Sequence, residues 1–182
     1  MKKKVLIILA DGFEDVEAVA PMDVLDRAGV GVTLAGLEAK EVKSAHGIKV
    51  LADTTLDALT EEFDAVILPG GGGGAKKLSE SEKVKNIITT MNDKGKVVAA
   101  ICASPAWVLA PTGILNGKKA TCYPGEEKAF PPEVKASNEA VVVDGNIVTS
   151  RGPGTALLFG LKLAEILVGK EVANTVKSKM LI

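Results

Sequence analysis

Residues 96–105 read KVVAAICASP, which places a cysteine directly after an apolar run. The run has no polar alternation, which is typical of a strand buried on both faces in a parallel sheet. Pro105 is favoured at the first position of a helix, and Ser104 is a suitable N-cap residue before it. We therefore predict a strand, a turn at Cys102 and a helix that begins at Pro105.

Strand-like and helix-like stretches alternate along the rest of the chain. Further strands are predicted at residues 5–9, 32–35, 65–68 and 120–123, and helices at residues 14–27, 81–92 and 154–168. The pair Asp144-Gly145 separates two β-branched runs, which indicates a hairpin that we place at a sheet edge. This order predicts a single α/β domain whose mostly parallel sheet is covered by helices on both faces.

The composition limits the classes of function. The formal net charge is −1 and there are six aromatic residues, so specific nucleic-acid binding is not expected. Two cysteines and one histidine are too few for a disulfide framework or a His/Cys zinc cluster. The apolar runs are far shorter than the ~20 residues of a membrane span. We expect a cytoplasmic protein with no membrane contact and no bound metal.

Cys102 is the first candidate for a reactive residue. A strand-to-helix turn exposes the sulfur near the free N–H groups of a helix start, which lowers a thiol pKa. The alternative is a small apolar cysteine buried in the core. Cys122 fits that alternative because it lies inside a predicted strand. His46 is far from Cys102 in sequence, and we expect an exposed loop histidine rather than a catalytic partner.

Glu17 is the second candidate, because its neighbours at helical spacing are apolar. These neighbours are Phe13, Ala20, Pro21 and Val24. Burial on such a face disfavours the ionised carboxylate and raises its pKa. The alternative is that acidic residues simply favour a helix N-terminus, which explains Glu14 and Asp15 better than Glu17.

The glycine run at residues 70–74 is the third candidate feature. The stretch 70–77 reads GGGGGAKK and nearly matches a phosphate loop. Lys77 stands where that motif needs a magnesium-binding Ser or Thr, so we reject nucleoside triphosphate binding. Exposed backbone N–H groups remain, and these can form an anion-binding nest or an oxyanion hole. The alternative is a flexible turn.

Four ordered motifs together resemble the ThiJ/PfpI superfamily, in its DJ-one (protein deglycase) branch. They are LADGFEDVE at residues 9–17, LPGG at 68–71, AAICA at 99–103 and SRGPGT at 150–155. The resemblance implies a flavodoxin-like three-layer α/β/α sandwich, a class I glutamine amidotransferase-like domain over residues 1–182, and a homodimer.

The resemblance also implies roles for individual residues. Cys102 would be the reactive cysteine, Glu17 its protonated carboxyl partner, and the N–H groups of Gly71 and Ala103 the oxyanion site. Tyr123 and Arg27 are candidates for accessory residues.

Two departures from the family pattern bear on the chemistry. Several members place a histidine where Tyr123 stands, so a Cys–His mechanism is not supported. The protease-like branch has a histidine where Ala103 stands, so a peptidase is not expected.

We expect a cysteine-dependent glyoxalase or deglycase that acts on methylglyoxal or its glycation adducts without a cofactor. Such an activity would link the protein to oxidative and carbonyl stress. The competing hypothesis is a non-enzymatic redox sensor or chaperone in which Cys102 is oxidised to the sulfinate. Both hypotheses use the same residues, so the sequence does not separate them.

Overall fold

A computed structural model describes residues 2–182 of the chain. Within these residues the strands are β1 (Lys4–Leu9), β2 (Gly31–Gly36), β3 (Glu41–Lys43), β4 (Lys49–Leu51), β5 (Thr54–Thr55), β6 (Ala65–Leu68), β7 (Val97–Ile101), β8 (Lys119–Ala120), β9 (Lys135–Ala136), β10 (Val141–Asp144) and β11 (Ile147–Ser150). The α-helices are α1 (Asp15–Arg27), α2 (Gly72–Glu80), α3 (Glu82–Asp93), α4 (Ala156–Val168) and α5 (Lys170–Lys179).

The described part of the chain forms a seven-stranded sheet in the order β10-β11-β7-β6-β1-β2-β5. Neighbouring strands are parallel except β10, which pairs antiparallel with β11 at the edge. The predicted edge hairpin is therefore confirmed. The strands β3 and β4 form a separate antiparallel pair, and β8 and β9 a separate parallel one.

Alternate residues of the central strands point to opposite faces of the sheet. Ile7 and Ile67 belong to one buried cluster, which includes residues of α1, α4 and α5. Leu6 and Val66 belong to the other, which includes residues of α2 and α3. This arrangement is the predicted flavodoxin-like α/β/α sandwich, and β1, β6 and β7 are buried on both faces as expected. No helix among residues 2–182 is long and apolar enough to cross a bilayer.

Three local predictions were wrong. The strand predicted at residues 120–123 ends at Ala120, because the Thr121 N–H donates to the Thr149 hydroxyl (3.0 Å) rather than continuing a ladder. Cys122 therefore lies beyond β8, although it is buried as expected. The helix predicted from Pro105 begins as a π-helical turn, Pro105–Leu109, followed by a 3₁₀ turn, Ala110–Thr112.

The glycine run also differs from the loop that the sequence predicted. Gly72 to Gly74 form the first turn of α2, and the Ala75 N–H donates to the Gly71 carbonyl at 2.8 Å. Glycine is a poor helix former, but a Cβ at Gly74 would lie 2.8 Å from the backbone of Phe13. Close packing against the residues after β1 thus accounts for glycine inside this helix.

Candidate active site

Cys102 follows β7 directly and has an unusual backbone conformation. Its φ is +66°, and the only other non-glycine residue with positive φ in residues 2–182 is Leu181. This left-handed conformation is disfavoured for a residue with a side chain. Two backbone hydrogen bonds hold it: the Cys102 N–H donates to the Ser150 carbonyl (3.0 Å), and its carbonyl accepts from the Tyr123 N–H (2.7 Å). The predicted turn at the cysteine is confirmed, and it is strained.

Glu17 lies in the first turns of α1 and is fully buried, as its apolar neighbours predicted. One carboxyl oxygen, Oε2, accepts a hydrogen bond from the Gly70 N–H at 2.8 Å. The carboxyl also hydrogen-bonds with the thiol of Cys102. The structure therefore brings together a residue that follows β1 and a residue that follows β7.

Two glycines make room for this contact. A Cβ at Gly70 would lie 2.6 Å from Glu17 Oε2 and 2.6 Å from the Cβ of Cys102. Gly71 has a φ of +84°, and a Cβ there would lie 2.3 Å from the Gly12 carbonyl oxygen. A side chain at Gly70 would displace Glu17 and Cys102, and a side chain at Gly71 would require the backbone to move. The backbone N–H groups of Gly71 and Ala103 favour the ionised form of the Cys102 thiol.

Burial controls the ionisation of the Cys102–Glu17 pair. Burial raises the pKa of Glu17 to about 7, against hydrogen bonds with Cys102 and Gly70 that lower it. Burial raises the pKa of the Cys102 thiol to about 12; the charge of ionised Glu17 adds to this rise, and the N–H groups of Gly71 and Ala103 oppose it. The expectation that the turn lowers the thiol pKa was wrong, because burial and Glu17 raise the pKa more than the N–H groups of Gly71 and Ala103 lower it.

The two groups are in contact, so they titrate as one unit. The pair loses one proton near neutral pH and holds the second until the solution is strongly alkaline. At neutral pH the pair is therefore about half neutral and half singly charged, and in the charged form Glu17 carries the charge while Cys102 keeps its proton. Transfer of that thiol proton to Glu17 frees the sulfur, which makes the pair suited to proton transfer during attack by the sulfur.

Ser104 does not cap the following helix. It has helical backbone angles and makes no side-chain cap. Its buried hydroxyl donates instead to the Pro69 carbonyl at 2.6 Å. This bond ties the loop after β7 to the loop after β6, and so positions Cys102 beside Gly70 and Gly71.

Tyr123 and Gly152 lie on the side of Glu17 that faces away from Gly70. A Cβ at Gly152 would lie 3.3 Å from the Tyr123 ring and 4.0 Å from Glu17 Oε1. Within residues 2–182, Oε1 is buried and has no hydrogen-bond partner. The Tyr123 side chain is half exposed, so this side of the site faces solvent past the ring.

Other candidate residues lie elsewhere. Arg27 pairs with Asp23 at 2.8 Å, ten residues along α1 from Glu17, so the structure does not bring it to Cys102. His46 is exposed, as predicted, and its Nδ1 lies 2.7 Å from Asp15 Oδ2.

In the described part of the chain, one group offers three metal-ligating side chains: Glu14, Asp15 and His46, with ligand atoms within 4.8 Å. The exposed His46–Asp15 hydrogen bond explains this cluster without an ion.

Ser150 and Gly152 lie at the site without being indicated by their residue types. Ser150 acts through its backbone carbonyl and Gly152 through a missing side chain, and neither property follows from residue type. The motifs 68–71 and 150–155 were the available signal, since both directly follow or end a predicted strand.

Known proteins resemble this chain over most of its length. The model of the DJ-1/PfpI family matches residues 3–166. The chain is 43% identical over 185 residues to protein dj-1beta of Drosophila melanogaster, covering 100% of this chain and 98% of that protein. It is 36% identical over 177 residues to the glutathione-independent glyoxalase DJR-1.2 of Caenorhabditis elegans, covering 96% and 94%.

Solved structures are similar over the full length. The crystal structure of Drosophila melanogaster DJ-1beta superposes with a TM-score of 0.96 at 43% identity, covering 100% of this chain and 99% of that one. Oxidised Toxoplasma gondii DJ-1 superposes with a TM-score of 0.94 at 39% identity, covering 98% of both chains.

Proposed function

Because the chain belongs to the DJ-1/PfpI family, we propose that it is a cysteine-dependent glyoxalase or deglycase that acts on methylglyoxal or its adducts. The observation that carries this proposal is the fully buried Glu17 in hydrogen-bond contact with Cys102. A relative named as a glutathione-independent glyoxalase supports the reaction class.

The first step is attack by the Cys102 sulfur on the aldehyde carbon of methylglyoxal. As the C–S bond forms, Glu17 accepts the thiol proton, and the aldehyde oxygen becomes an alkoxide. The N–H groups of Gly71 and Ala103 favour the ionised sulfur, and in this proposal they donate to the oxygen on the carbon bound to it. Glu17 then passes the thiol proton to the alkoxide, which gives a hemithioacetal and leaves Glu17 ionised for the next step.

The second step moves a proton between adjacent carbons. Glu17 removes the proton from the carbon bound to sulfur and returns it to the former ketone carbon, while the hydroxyl proton moves to the former ketone oxygen, which gives a lactoyl thioester. Water then hydrolyses the thioester, releases lactate and restores the thiol. The sum is the addition of one water to methylglyoxal, with no external oxidant or reductant. A carboxyl with a pKa of about 7 suits a group that must both accept and donate.

We further propose that the protein works as a homodimer in the cytoplasm under oxidative and carbonyl stress. No step above requires a metal or an organic cofactor. The small substrate reaches Cys102 past the half-exposed Tyr123.

The second candidate function is a redox sensor or chaperone in which Cys102 is oxidised to the sulfinate. The same donors at Gly71, Ala103 and Glu17 would stabilise the sulfinate oxygens. The solved structure of oxidised Toxoplasma gondii DJ-1, which is similar to this chain, supports this second candidate function.

A turnover assay separates the two functions. Purified protein is incubated with methylglyoxal and EDTA, without glutathione, and lactate is measured enzymatically after quenching. We expect wild type to form lactate and Cys102→Ser to lose the activity, because a serine hydroxyl is a far weaker nucleophile without a strong base. Tyr123→Phe should retain most activity. If wild type and Cys102→Ser form lactate equally slowly, the glyoxalase hypothesis is rejected and the redox sensor or chaperone hypothesis is favoured.

A further inference from the structure

We infer that Trp107 and Glu126 are positioning residues for the candidate site. The hydrogen bond between their side chains holds residues 123–129, here called the entrance segment, against the turn that follows Cys102. Through that segment it keeps the Tyr123 ring at the solvent side of the site. The inference concerns access to the Cys102 sulfur, so it goes beyond the proposed function and applies equally to a catalytic and to a redox-active cysteine.

Hydrogen bonds join Cys102 and the entrance segment into a closed ring. The Tyr123 N–H donates to the Cys102 carbonyl at 2.7 Å, and the Glu126 N–H donates to the Tyr123 carbonyl at 3.0 Å. The Trp107 N–H donates to the Ala103 carbonyl at 2.9 Å. The indole N–H of Trp107 closes the ring by donating to Glu126 Oε2 at 2.7 Å. Because Ala103 is covalently bonded to Cys102, the strained cysteine backbone is itself part of the ring.

The Trp107–Glu126 bond is the part of this ring that depends on side chains. The other bonds join backbone N–H and carbonyl groups, which remain when a side chain is changed. A substitution at Trp107 or Glu126 therefore opens the ring at one defined bond. The acceptor is a carboxylate, and a hydrogen bond to a charged acceptor is stronger than one between neutral groups.

The entrance segment has few other contacts that hold it in place. All its residues are exposed except Glu126, which is partly buried. The segment is followed by Phe130, which is partly buried against the core. Between Tyr123 and Phe130, the bond from Trp107 is the one hydrogen bond that joins the segment to the rest of residues 2–182. Loss of this bond should therefore release the segment without unfolding the domain.

The place of the Tyr123 ring connects this bond to the sulfur. A Cβ at Gly152 would lie 3.3 Å from the ring and 4.0 Å from Glu17 Oε1, so the ring lies beside the buried carboxyl that contacts Cys102. The Tyr123 side chain is also half exposed. It therefore stands between solvent and the Cys102–Glu17 pair, and its displacement widens the path to the sulfur.

The test uses two alkylating reagents that attack a thiol by the same reaction but differ in size, iodoacetamide and N-pyrenyl iodoacetamide. Peptide mass spectrometry gives the rate of modification of Cys102 by each. We expect Trp107→Phe and Glu126→Ala each to raise the ratio of the large-reagent rate to the small-reagent rate about tenfold. One hydrogen bond to a charged group shifts an equilibrium by about that factor. Glu126→Gln keeps an acceptor oxygen and should stay near the wild-type ratio.

The matched control is Glu127→Ala, which removes the same charge from the same turn. The Glu127 carboxylate accepts from the Gly125 N–H at 2.7 Å, inside the entrance segment, so the control should keep the wild-type ratio. The double variant Trp107→Phe/Glu126→Ala should match either single variant, since all three lose the same bond. An unchanged ratio in both single variants, an equal rise in Glu127→Ala or in Glu126→Gln, or additive effects in the double variant would overturn the inference.

A spectroscopic readout reports the bond itself. Trp107 is the only tryptophan in the chain, and its side chain is partly buried. Release of the entrance segment should expose the indole, so acrylamide should quench its fluorescence more strongly in Glu126→Ala than in wild type or Glu127→Ala. If quenching rises while the alkylation ratio stays at the wild-type value, the bond is only structural and the inference fails. None of these measurements requires turnover, so an absence of lactate formation would reject the proposed function and leave this inference standing.

Discussion

At the scale of single residues, the site depends on the ionisation of the buried pair Glu17 and Cys102. A carboxyl that is fully buried and has a pKa of about 7 is half neutral under physiological conditions. Its thiol neighbour cannot lose its proton to solvent near neutral pH, since its own pKa is raised to about 12. The reactive thiolate forms by transfer of that proton to Glu17.

This ionisation predicts a dependence of stability on pH. The ordinary pKa of a glutamate, 4.5, applies to Glu17 in the unfolded chain, and burial raises the pKa to about 7 in the folded protein. Folding therefore favours the neutral form, so this contribution to stability is full below pH ~4.5 and is lost as pH rises through ~7. Between pH ~5 and ~8 we expect wild type to lose about 2–3 kcal/mol that Glu17→Gln does not lose. Urea unfolding at both pH values measures the difference; parallel curves for the two proteins would contradict the raised pKa.

A second prediction concerns the selectivity between the two cysteines. Burial raises the pKa of both thiols to about 12. Cys102 has two N–H donors and a proton acceptor beside it, whereas Cys122 is 5% exposed and lies near the negative charges of Glu127 and Glu126. With limiting iodoacetamide or peroxide, peptide mass mapping should find Cys102 modified well before Cys122. Modification of Cys122 first would contradict the site.

The sequence predicts a site residue only where the residue type or the local pattern indicates its role. Glu17 was found because a carboxyl among apolar neighbours is anomalous, and Cys102 because it ends an apolar run. Gly152 was missed because the sequence does not show that a side chain at this position would meet the Tyr123 ring at 3.3 Å. Ser104 was misassigned as a cap because its hydroxyl bonds to Pro69, a residue 35 positions away that local sequence does not place nearby.

At the scale of secondary structure elements, α1 and α4 pack closely, and a glycine permits this. A Cβ at Gly160 in α4 would lie 3.0 Å from the Cα of Pro21 and 3.1 Å from the Cβ of Val24 in α1. The position of α1 matters to the site because α1 carries Glu17. The backbone of Pro21 and the β-branched side chain of Val24 cannot easily shift to make room for a larger residue at position 160.

We therefore expect Gly160→Val to lower the free energy of unfolding by about 1–3 kcal/mol through overpacking. The control is Gly154→Val, at an exposed position with open space around its Cβ, which should change stability by about 0.5 kcal/mol or less. Thermal or urea unfolding gives both values. Equal effects of the two substitutions would show that the α1–α4 contact is not tight.

Element-level prediction succeeded where local patterns are strong. The buried strands β1, β6 and β7 were visible as apolar runs, and the edge hairpin as Asp144-Gly145. The first turn of α2 was missed because three glycines form it, so tertiary packing against Phe13 overrides their low helix propensity. The end of β8 was misplaced because a side-chain acceptor, Thr149, replaces the ladder.

At the scale of the whole molecule, topology gathers the site. The parallel strands β1, β6 and β7 are neighbours and end at one edge of the sheet. Glu17, Gly71 and Cys102 follow these strands, so residues far apart in sequence meet there. The order of motifs in the chain could be read from sequence, but the contacts among their residues required the fold.

Assembly supplies a prediction at the same scale. We propose a homodimer with α1 in the interface, and Val19 on this helix is 46% exposed. Val19→Lys would bury a charge in such an interface, so sedimentation should show weakened dimers relative to wild type at micromolar concentration. Val143→Lys, at a 44% exposed valine on the edge strand β10, is the matched control. A monomeric wild type would refute the dimer, and an unaffected Val19→Lys dimer would move its interface away from α1.

The central claim is that Cys102 forms a covalent bond to the substrate, and trapping that bond tests it most directly. Wild type is mixed with methylglyoxal, quenched with acid during the first turnover, and mapped by peptide mass spectrometry. The account predicts a transient gain of one methylglyoxal mass on the peptide that contains Cys102, decaying as lactate appears and absent in Cys102→Ser. Lactate formed at the wild-type rate without any adduct on Cys102, or with an adduct only on Cys122, would contradict it.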